Sequence, residues 1–421
     1  MLEFPAGFLW GVATAAHQVE GGNTNNTWWA WEQQGHIHAG GSARVACDWW
    51  NHAERDFDRA REMGLNALRL SVEWSRVEPR PGEWDDAAFR RYRAMLRGLR
   101  DRGLEPLVTL HHFTDPLWLE RGFLGRDAVD RFVRFATRTA EELGDLCELF
   151  CTFNEPNVYA FFGYVDGSFP PGRKGDVPAM LKVQARMASA HVAAYEAIRR
   201  ARPKARIGFA QHYNVFDPEN PRSRVDRQCA RVMDVAFNEL FTLRARRACD
   251  WIGINAYYRN IVHVDLRKPF VHRSIVPGAR QGDAPPEGEW GELYPQGIAR
   301  IAQRLVSLGK PIYVTENGVA DRSDRLRPWL IATAVRAMHD ALARGVDLRG
   351  YFHWTLVDNF EWLQGWSTRF GLVELDVETQ ARTPRPSAAL YSHIARANAL
   401  TPQMVADFGP EVVQAAFAGK G

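Results

Sequence analysis

The sequence predicts an α/β protein: a single (β/α)8 barrel of the TIM type, with its active site at the C-terminal ends of the strands. Three observations carry the prediction. Eight short apolar runs rich in Val, Ile, Leu and Phe are spread along the chain. Amphipathic stretches of helical period separate them, as in a parallel sheet covered by helices. Polar residues collect at the C-terminal end of run after run. A doubly wound open sheet is the alternative, but no G-x-G-x-x-G or G-x-x-x-x-G-K-[ST] follows any run. A length of 421 residues suits one such barrel.

The runs lie at 7–15, 67–73, 105–112, 149–155, 206–213, 251–258, 311–317 and 349–356. After the second, DDAAFRRYRAMLRGLRDRG places Phe89, Tyr92, Leu96 and Leu99 on one helical face and its arginines on the other. That basic face reads as solvated helix surface, as does RRARPKAR at 199–206. No low-complexity linker interrupts residues 1–399, which read as one catalytic domain. Residues 400–421 read as a tail punctuated by Pro and Gly, packed on the outside or frayed.

Composition narrows the function. Lys and Arg number 53 against 50 Asp and Glu, so the net charge of +3 is too even for a nucleic-acid partner. The five cysteines are odd in number and form no C-x-x-C pair. They read as reduced packing thiols of a cytoplasmic protein. The spacing of Cys147 and Cys151 fits one helical face. MLEFPAGFLWG lacks the pattern of a secretory signal. No apolar run approaches the ~18 residues of a membrane span. No membrane partner is expected, and no motif specifies an oligomeric state. The 15 tryptophans fill core and also suit a ligand with flat apolar faces and a polar rim, such as a sugar.

The strand ends carry the chemistry. They present Gln18, Arg69 with Glu73, His111 with His112, Asn154 with Glu155, Asn255 with Tyr257, Glu316 with Asn317, and Trp354. Glu155 and Glu316, on strands four and seven, are placed to face each other across the barrel mouth. Two opposed carboxylates are what glycoside hydrolysis requires. Arg69 and the Tyr257 hydroxyl can hold a neighbouring carboxylate ionised. DNFEWLQGW at 358–366 adds acids and indoles in one loop, a sugar clamp. His111, His112 and Asp115 resemble a metal set, but adjacent strand residues point to opposite faces. Neither a metal nor a cofactor is expected.

These segments resemble glycoside hydrolase family 1, the retaining β-glycosidases that include β-glucosidases and β-galactosidases. FLWGVATAAHQVEG (8–21), LRLSVEWSR (68–76), TLHHFTDPLWL (109–119), TFNEP (152–156), WIGINAYY (251–258), WGELYPQG (290–297), VTENG (314–318) and GYFHWTLVDNFEW (350–362) follow in family order. The resemblance spans residues 4 to about 398. It implies Glu155 as acid/base and Glu316 as nucleophile, with Arg69 and Tyr257 holding the nucleophile. It implies Asn154 as donor to the sugar 2-OH, and Gln18, His112, Glu361 and Trp362 around the other hydroxyls. Trp354 matches the stacking platform and Trp290 an aromatic wall of the aglycone site.

The implied activity is a retaining exo-β-glycosidase on small β-glycosides or short oligosaccharides. Terminal β-D-glucosyl residues come first, with galactosyl or fucosyl residues next. A non-catalytic sugar-binding barrel and an endo-glycanase are the competing readings. Glu361 would repel a 6-phosphosugar, and the presence of Glu155 favours an O-glycosidase over a thioglucosidase. Two departures stand out. Phe113 occupies a position where many members carry Trp. The stretch from Phe241 to Trp251 is short, which predicts a missing rim segment and an open aglycone side.

Overall fold

The computed structural model describes residues 1–264, 279–283 and 290–417, together with the backbone of 271–274. Eight parallel strands close on themselves: β1 (Leu9–Ala13), β2 (Ala67–Ser71), β3 (Glu105–His111), β4 (Leu149–Asn154), β5 (Arg206–His212), β6 (Trp251–Asn255), β7 (Ile312–Asn317) and β8 (Leu348–Trp354). Each neighbour in sequence is a neighbour in space, and β8 pairs with β1 to seal the barrel, Phe352 against Gly11. Every predicted run overlaps one barrel strand. The run 251–258 splits, because the chain turns after Asn255 and Tyr258 opens a separate strand, Tyr258–Val264. That strand joins Val215–Pro218, 271–274 and Glu292–Leu293 in a four-stranded sheet leading on from the C-terminal end of β6.

The strands are apolar because both faces are covered. All five residues of β2 are buried, its one cation Arg69 included. The covering helices are α1 (Trp49–Glu62), α2 (Asp86–Asp101), α3 (Ala128–Leu143), α4 (Val177–Ala201), α5 (Arg224–Asp234), α6 (Leu240–Ala245), α7 (Gly297–Leu305), α8 (Arg327–Ala343) and α9 (Pro386–Ala397). In α2 the Asp85 side chain caps the first turn through Ala87 and Ala88 N–H. Phe89, Tyr92, Leu96 and Leu99 are buried as predicted, with Met95 between them. Three of the arginines there pair with neighbouring elements: Arg91 with Glu54 at 2.5 Å, Arg93 with Asp145 at 2.6 Å and Arg102 with Asp58 at 2.7 Å. Each such pair reduces the positive field that this face presents to a polyanion.

Two details differ from the sequence reading, the cysteine pair and the short link before β6. Cys151 lies within β4 and Cys147 just before it, so the pair belongs to a strand entry and not to a helix. Cys47, Cys147, Cys151 and Cys249 are buried, Cys229 is half-buried, and all five are unpaired. The segment past 400 carries α10 (Pro410–Phe417), which packs on α8 with Val412 and Ala416 buried. Residues 418–421 lie outside the described residues.

The second difference concerns the short link before β6. It runs from the end of α6 to the start of β6, so it sits at the N-terminal face of the barrel, away from the strand ends that carry the candidate site. Asp250 in that link hydrogen-bonds the N–H of Ile207 at the start of β5 and pairs with Arg199 near the end of α4. A shortened loop on that face opens nothing at the mouth. The expected open aglycone side therefore does not follow from the length of this link.

Candidate active site

Arg69 organises the site. Fully buried in β2, it donates from Nε to Thr109 Oγ1 (2.9 Å), from Nη1 to Glu316 Oε1 (2.7 Å) and from Nη2 to Asn154 Oδ1 (2.6 Å). The Tyr257 hydroxyl donates to Glu316 Oε2 at 3.0 Å, so both oxygens of Glu316 are engaged. Asn255 bridges to the other carboxylate. Its Nδ2 donates to Asn154 Oδ1 (3.0 Å) and to Glu155 Oε1 (2.8 Å), while its own Oδ1 accepts from Thr315 (2.6 Å). His212, the last residue of β5, meets the same Glu155 Oε1 at 3.0 Å. Among the described residues, each hydrogen bond to the Glu155 side chain ends on Oε1, which leaves Oε2 for a ligand.

The backbone is bent to make this arrangement. Glu155 sits between β4 and a short helix at Pro156–Phe161, with φ of +47°. A left-handed conformation in a residue with a side chain costs about 1–3 kcal/mol and collects at functional sites. Phe113 (φ +69°) and Trp362 (φ +48°) share it. The glycine of VTENG has a different cause: a Cβ on Gly318 would lie 2.0 Å from the carbonyl oxygen of Trp354. Only glycine lets the strand carrying Glu316 pass beside Trp354.

Two buried polar atoms of these site residues are left without partners. Asn154 Nδ2 donates to His112 Nε2 at 3.0 Å, which puts the ring proton on Nδ1. That Nδ1 and Oε1 of Gln18 are both buried and unbonded. Burial, with Arg69 and His111 adding to it, pushes the His112 pKa well below its ordinary value, so the ring is a neutral donor. An orphaned donor and an orphaned acceptor beside two carboxylates call for a hydroxylated ligand. Gln18 Nε2 also reaches Glu361 Oε2 at 3.3 Å.

The carboxylates crowd one another. Burial raises Glu316 above the usual carboxylate range, Arg69 pulls it down, and the charge of Glu155 raises it again. The guanidinium expected to keep Glu316 ionised is in place, but desolvation outweighs it. Glu361 is pushed up to about 8, first by burial and then by Glu316. A carboxyl raised on folding contributes full stability below its unfolded pKa near 4.3, and that contribution is lost as pH rises through about 8. Glu361→Gln should therefore raise Tm at pH 8–9 and leave it unchanged near pH 4. Thermal unfolding at both pH values checks this, and an equal shift at each would show that Glu361 carries no such cost.

Aromatic rings line the walls. Trp362 stacks on His17 (centroids 5.8 Å, 12°) and packs on Trp28 (4.6 Å) and Phe113 (5.2 Å). Trp354 lies near-parallel to His112 at 6.0 Å. Trp290 stacks on Phe370 (6.1 Å, 24°), whose ring meets the Tyr257 edge at 6.5 Å. So Gln18, Arg69, His112, Asn154, Glu155, Tyr257, Glu316, Trp354, Glu361 and Trp362 come together, and Trp290 stands one ring further out.

Other strand-end residues turn away from this cluster. Glu73 caps Ser75 and accepts from Thr114. His111 pairs with Asp115 at 3.0 Å, and Asn317 donates to the Ala256 carbonyl at 2.6 Å. Asp358, first acid of the expected clamp, is held by Arg385 at 2.8 Å. Trp366 donates to the Ser42 carbonyl at 2.9 Å. Two residues given no role from sequence, Asn255 and His212, touch Glu155 directly.

A closed eight-stranded parallel barrel with paired carboxylates, orphaned hydroxyl partners and indole walls at its strand ends defines a glycoside hydrolase. The model of glycosyl hydrolase family 1 matches residues 1–242 and 223–400, and the chain belongs to that family. A β-galactosidase of Pyrococcus woesei is 30% identical over 500 aligned residues, covering 94% of this chain and 98% of the relative. A bifunctional β-D-glucosidase/β-D-fucosidase of Bifidobacterium breve is 31% identical, covering 92% and 97%. The structure of a β-glycosidase from Pyrococcus horikoshii superposes with a TM-score of 0.87 at 35% identity, covering 97% of this chain and 98% of that one.

Proposed function

We propose that the protein is a retaining exo-β-glycosidase whose first substrates are small β-glucosides, with β-galactosides and β-fucosides also accepted. The observation that carries the mechanism is the asymmetry of the two carboxylates. Glu316 has both oxygens fixed by Arg69 and Tyr257, as a nucleophile needs. Glu155 is gripped by Oε1 alone, which frees Oε2 to exchange a proton.

In the first step Glu316 attacks the anomeric carbon while Glu155 protonates the departing oxygen. In the second, Glu155 takes a proton from water, which displaces Glu316 from the sugar. Asn154 addresses the 2-OH. Gln18, His112, Glu361 and Trp362 read the remaining hydroxyls, Trp354 takes the sugar face and Trp290 the aglycone. The sugar range is supported by relatives named for β-galactosidase, β-glucosidase and β-fucosidase activity. Residues 1–399 read as one catalytic domain with 400–421 as an appendage. Five unpaired thiols support a reducing compartment, the cytoplasm. Among the described residues no helix is long and apolar enough to cross a membrane.

A panel of nitrophenyl β-glycosides tests the function, with NMR reading the anomer formed first. Release of the β-anomer from a β-glucoside is expected. An α-anomer as first product would overturn the mechanism, and no turnover of any β-glycoside would overturn the function.

A further inference from the structure

Among the described residues, His212 is the ring that hydrogen-bonds Glu155, and the mechanism above does not use it. It closes β5 with a side chain 13% exposed. Both ring nitrogens are engaged: Nδ1 lies 3.0 Å from Glu155 Oε1 and Nε2 3.0 Å from Asn214 Oδ1. Two acceptors on one imidazole require two N–H donors, and that is the cationic form. The ring is clamped in place. Tyr257 stacks on it (5.8 Å, 15°), Phe237 meets it edge-on (5.7 Å), and its own carbonyl accepts from Asn157 Nδ2 at 2.9 Å. The titratable groups facing it are Glu155 from the end of β4, Tyr257 past the end of β6 and Glu316 on β7.

We propose that His212 is a positioning residue for the acid/base: its imidazolium, held between Glu155 and Asn214, orients the Glu155 carboxyl and stabilises the anion left when that carboxyl gives up its proton. This rests on the function proposed above. In the glycosylation step the glycosidic C–O bond breaks with its electron pair going to the oxygen. The proton on Glu155 Oε2 goes to that same oxygen. The carboxylate formed faces an existing cation through Oε1. In the second step the carboxylate regains a proton from water, and His212 keeps its own throughout. The electrostatic balance agrees for the state left after proton donation: burial alone would lower the pKa of His212, but the charge and hydrogen bond of ionised Glu155 overcome it, and the net shift is upward.

Two measurements on the full chain test the proposal. The first does not need turnover. The ring of His212, assigned by its loss in His212→Asn, is titrated by NMR in the wild type and in Glu155→Gln. The imidazolium should persist to higher pH in the wild type and lose its proton at lower pH once the Glu155 charge is removed. Identical titrations overturn the pairing. The second compares an alkyl β-glycoside with a 2,4-dinitrophenyl β-glycoside of the same sugar in His212→Asn, which keeps an N–H donor but no charge.

A dinitrophenolate leaves without proton donation and an alkoxide does not. The loss in kcat/KM should therefore be at least about tenfold larger for the alkyl glycoside, within the range of general acid catalysis. The basic limb of its pH profile should move up, because a carboxyl that has lost a neighbouring cation releases its proton less readily. Equal losses on both substrates with an unmoved limb reduce His212 to packing and overturn the proposal. A wild type that cleaves neither glycoside defeats the functional reading itself, a result that no comparison with the variant can mimic.

Discussion

Glu316→Ala should lose at least about 10⁴-fold in kcat on every β-glycoside, activated or not, as when a nucleophile is removed elsewhere. Without the carboxylate no glycosyl-enzyme forms, and a better leaving group rescues little. Glu155→Ala should behave differently. A nitrophenolate departs unaided, so glycosylation survives while deglycosylation lacks its base. Azide needs no base and enters from the vacated side, so it should restore turnover and give a β-glycosyl azide. In Glu316→Ala, azide has to attack from the opposite face and gives the α-azide. The contrast follows from two carboxylates on opposite faces of one sugar ring. NMR of the azide products decides it, and swapped anomers would exchange the two roles.

Arg69→Met should cost about 3–5 kcal/mol of stability, the usual result of breaking a buried ion pair by removing one partner. The side chain is fully buried, and its loss strips Glu316, Asn154 and Thr109 of their donor together. A second effect separates catalysis from folding. Arg69 lowers the pKa of Glu316, so its removal lets burial raise that group further. An ionised nucleophile is then reached only at higher pH, and the acidic limb of kcat/KM should move up. Chemical denaturation measures the first effect and a pH profile on the folded fraction the second. A variant that loses activity with an unmoved acidic limb would show that Arg69 only props the barrel.

The barrel was legible because each strand is buried on both faces and reads as a continuous apolar run. The carboxylates were legible because they terminate such runs, and Arg69 because a cation inside a buried strand needs an anion. Three things were not, each for a physical reason. His212 also ends a strand, but a single histidine carries no pattern that separates a partner of Glu155 from a packed ring. Asp358 and Glu361 look alike in sequence, and only the return of Arg385 from a distant loop assigns the first to structure. The link before β6 was misplaced to the rim, although a connection that follows a helix and enters a strand belongs to the face opposite the site.

The seam between β1 and β8 has a consequence for how the molecule comes into being. Gly11 pairs with Phe352, and Gln18 just past β1 meets Glu361 just past β8. Chains emerge from the ribosome N-terminus first, at about 5–20 residues per second. The first strand therefore waits roughly twenty seconds or more for the partner that covers its open edge. During that interval Glu155 is already made, while Glu316 and the Trp362 loop are still to come. A nascent chain is thus unable to cut glycosidic bonds, and it carries an exposed strand edge that a chaperone or a neighbouring chain can claim. Synthesis halted before β8 should yield aggregates and no partial enzyme.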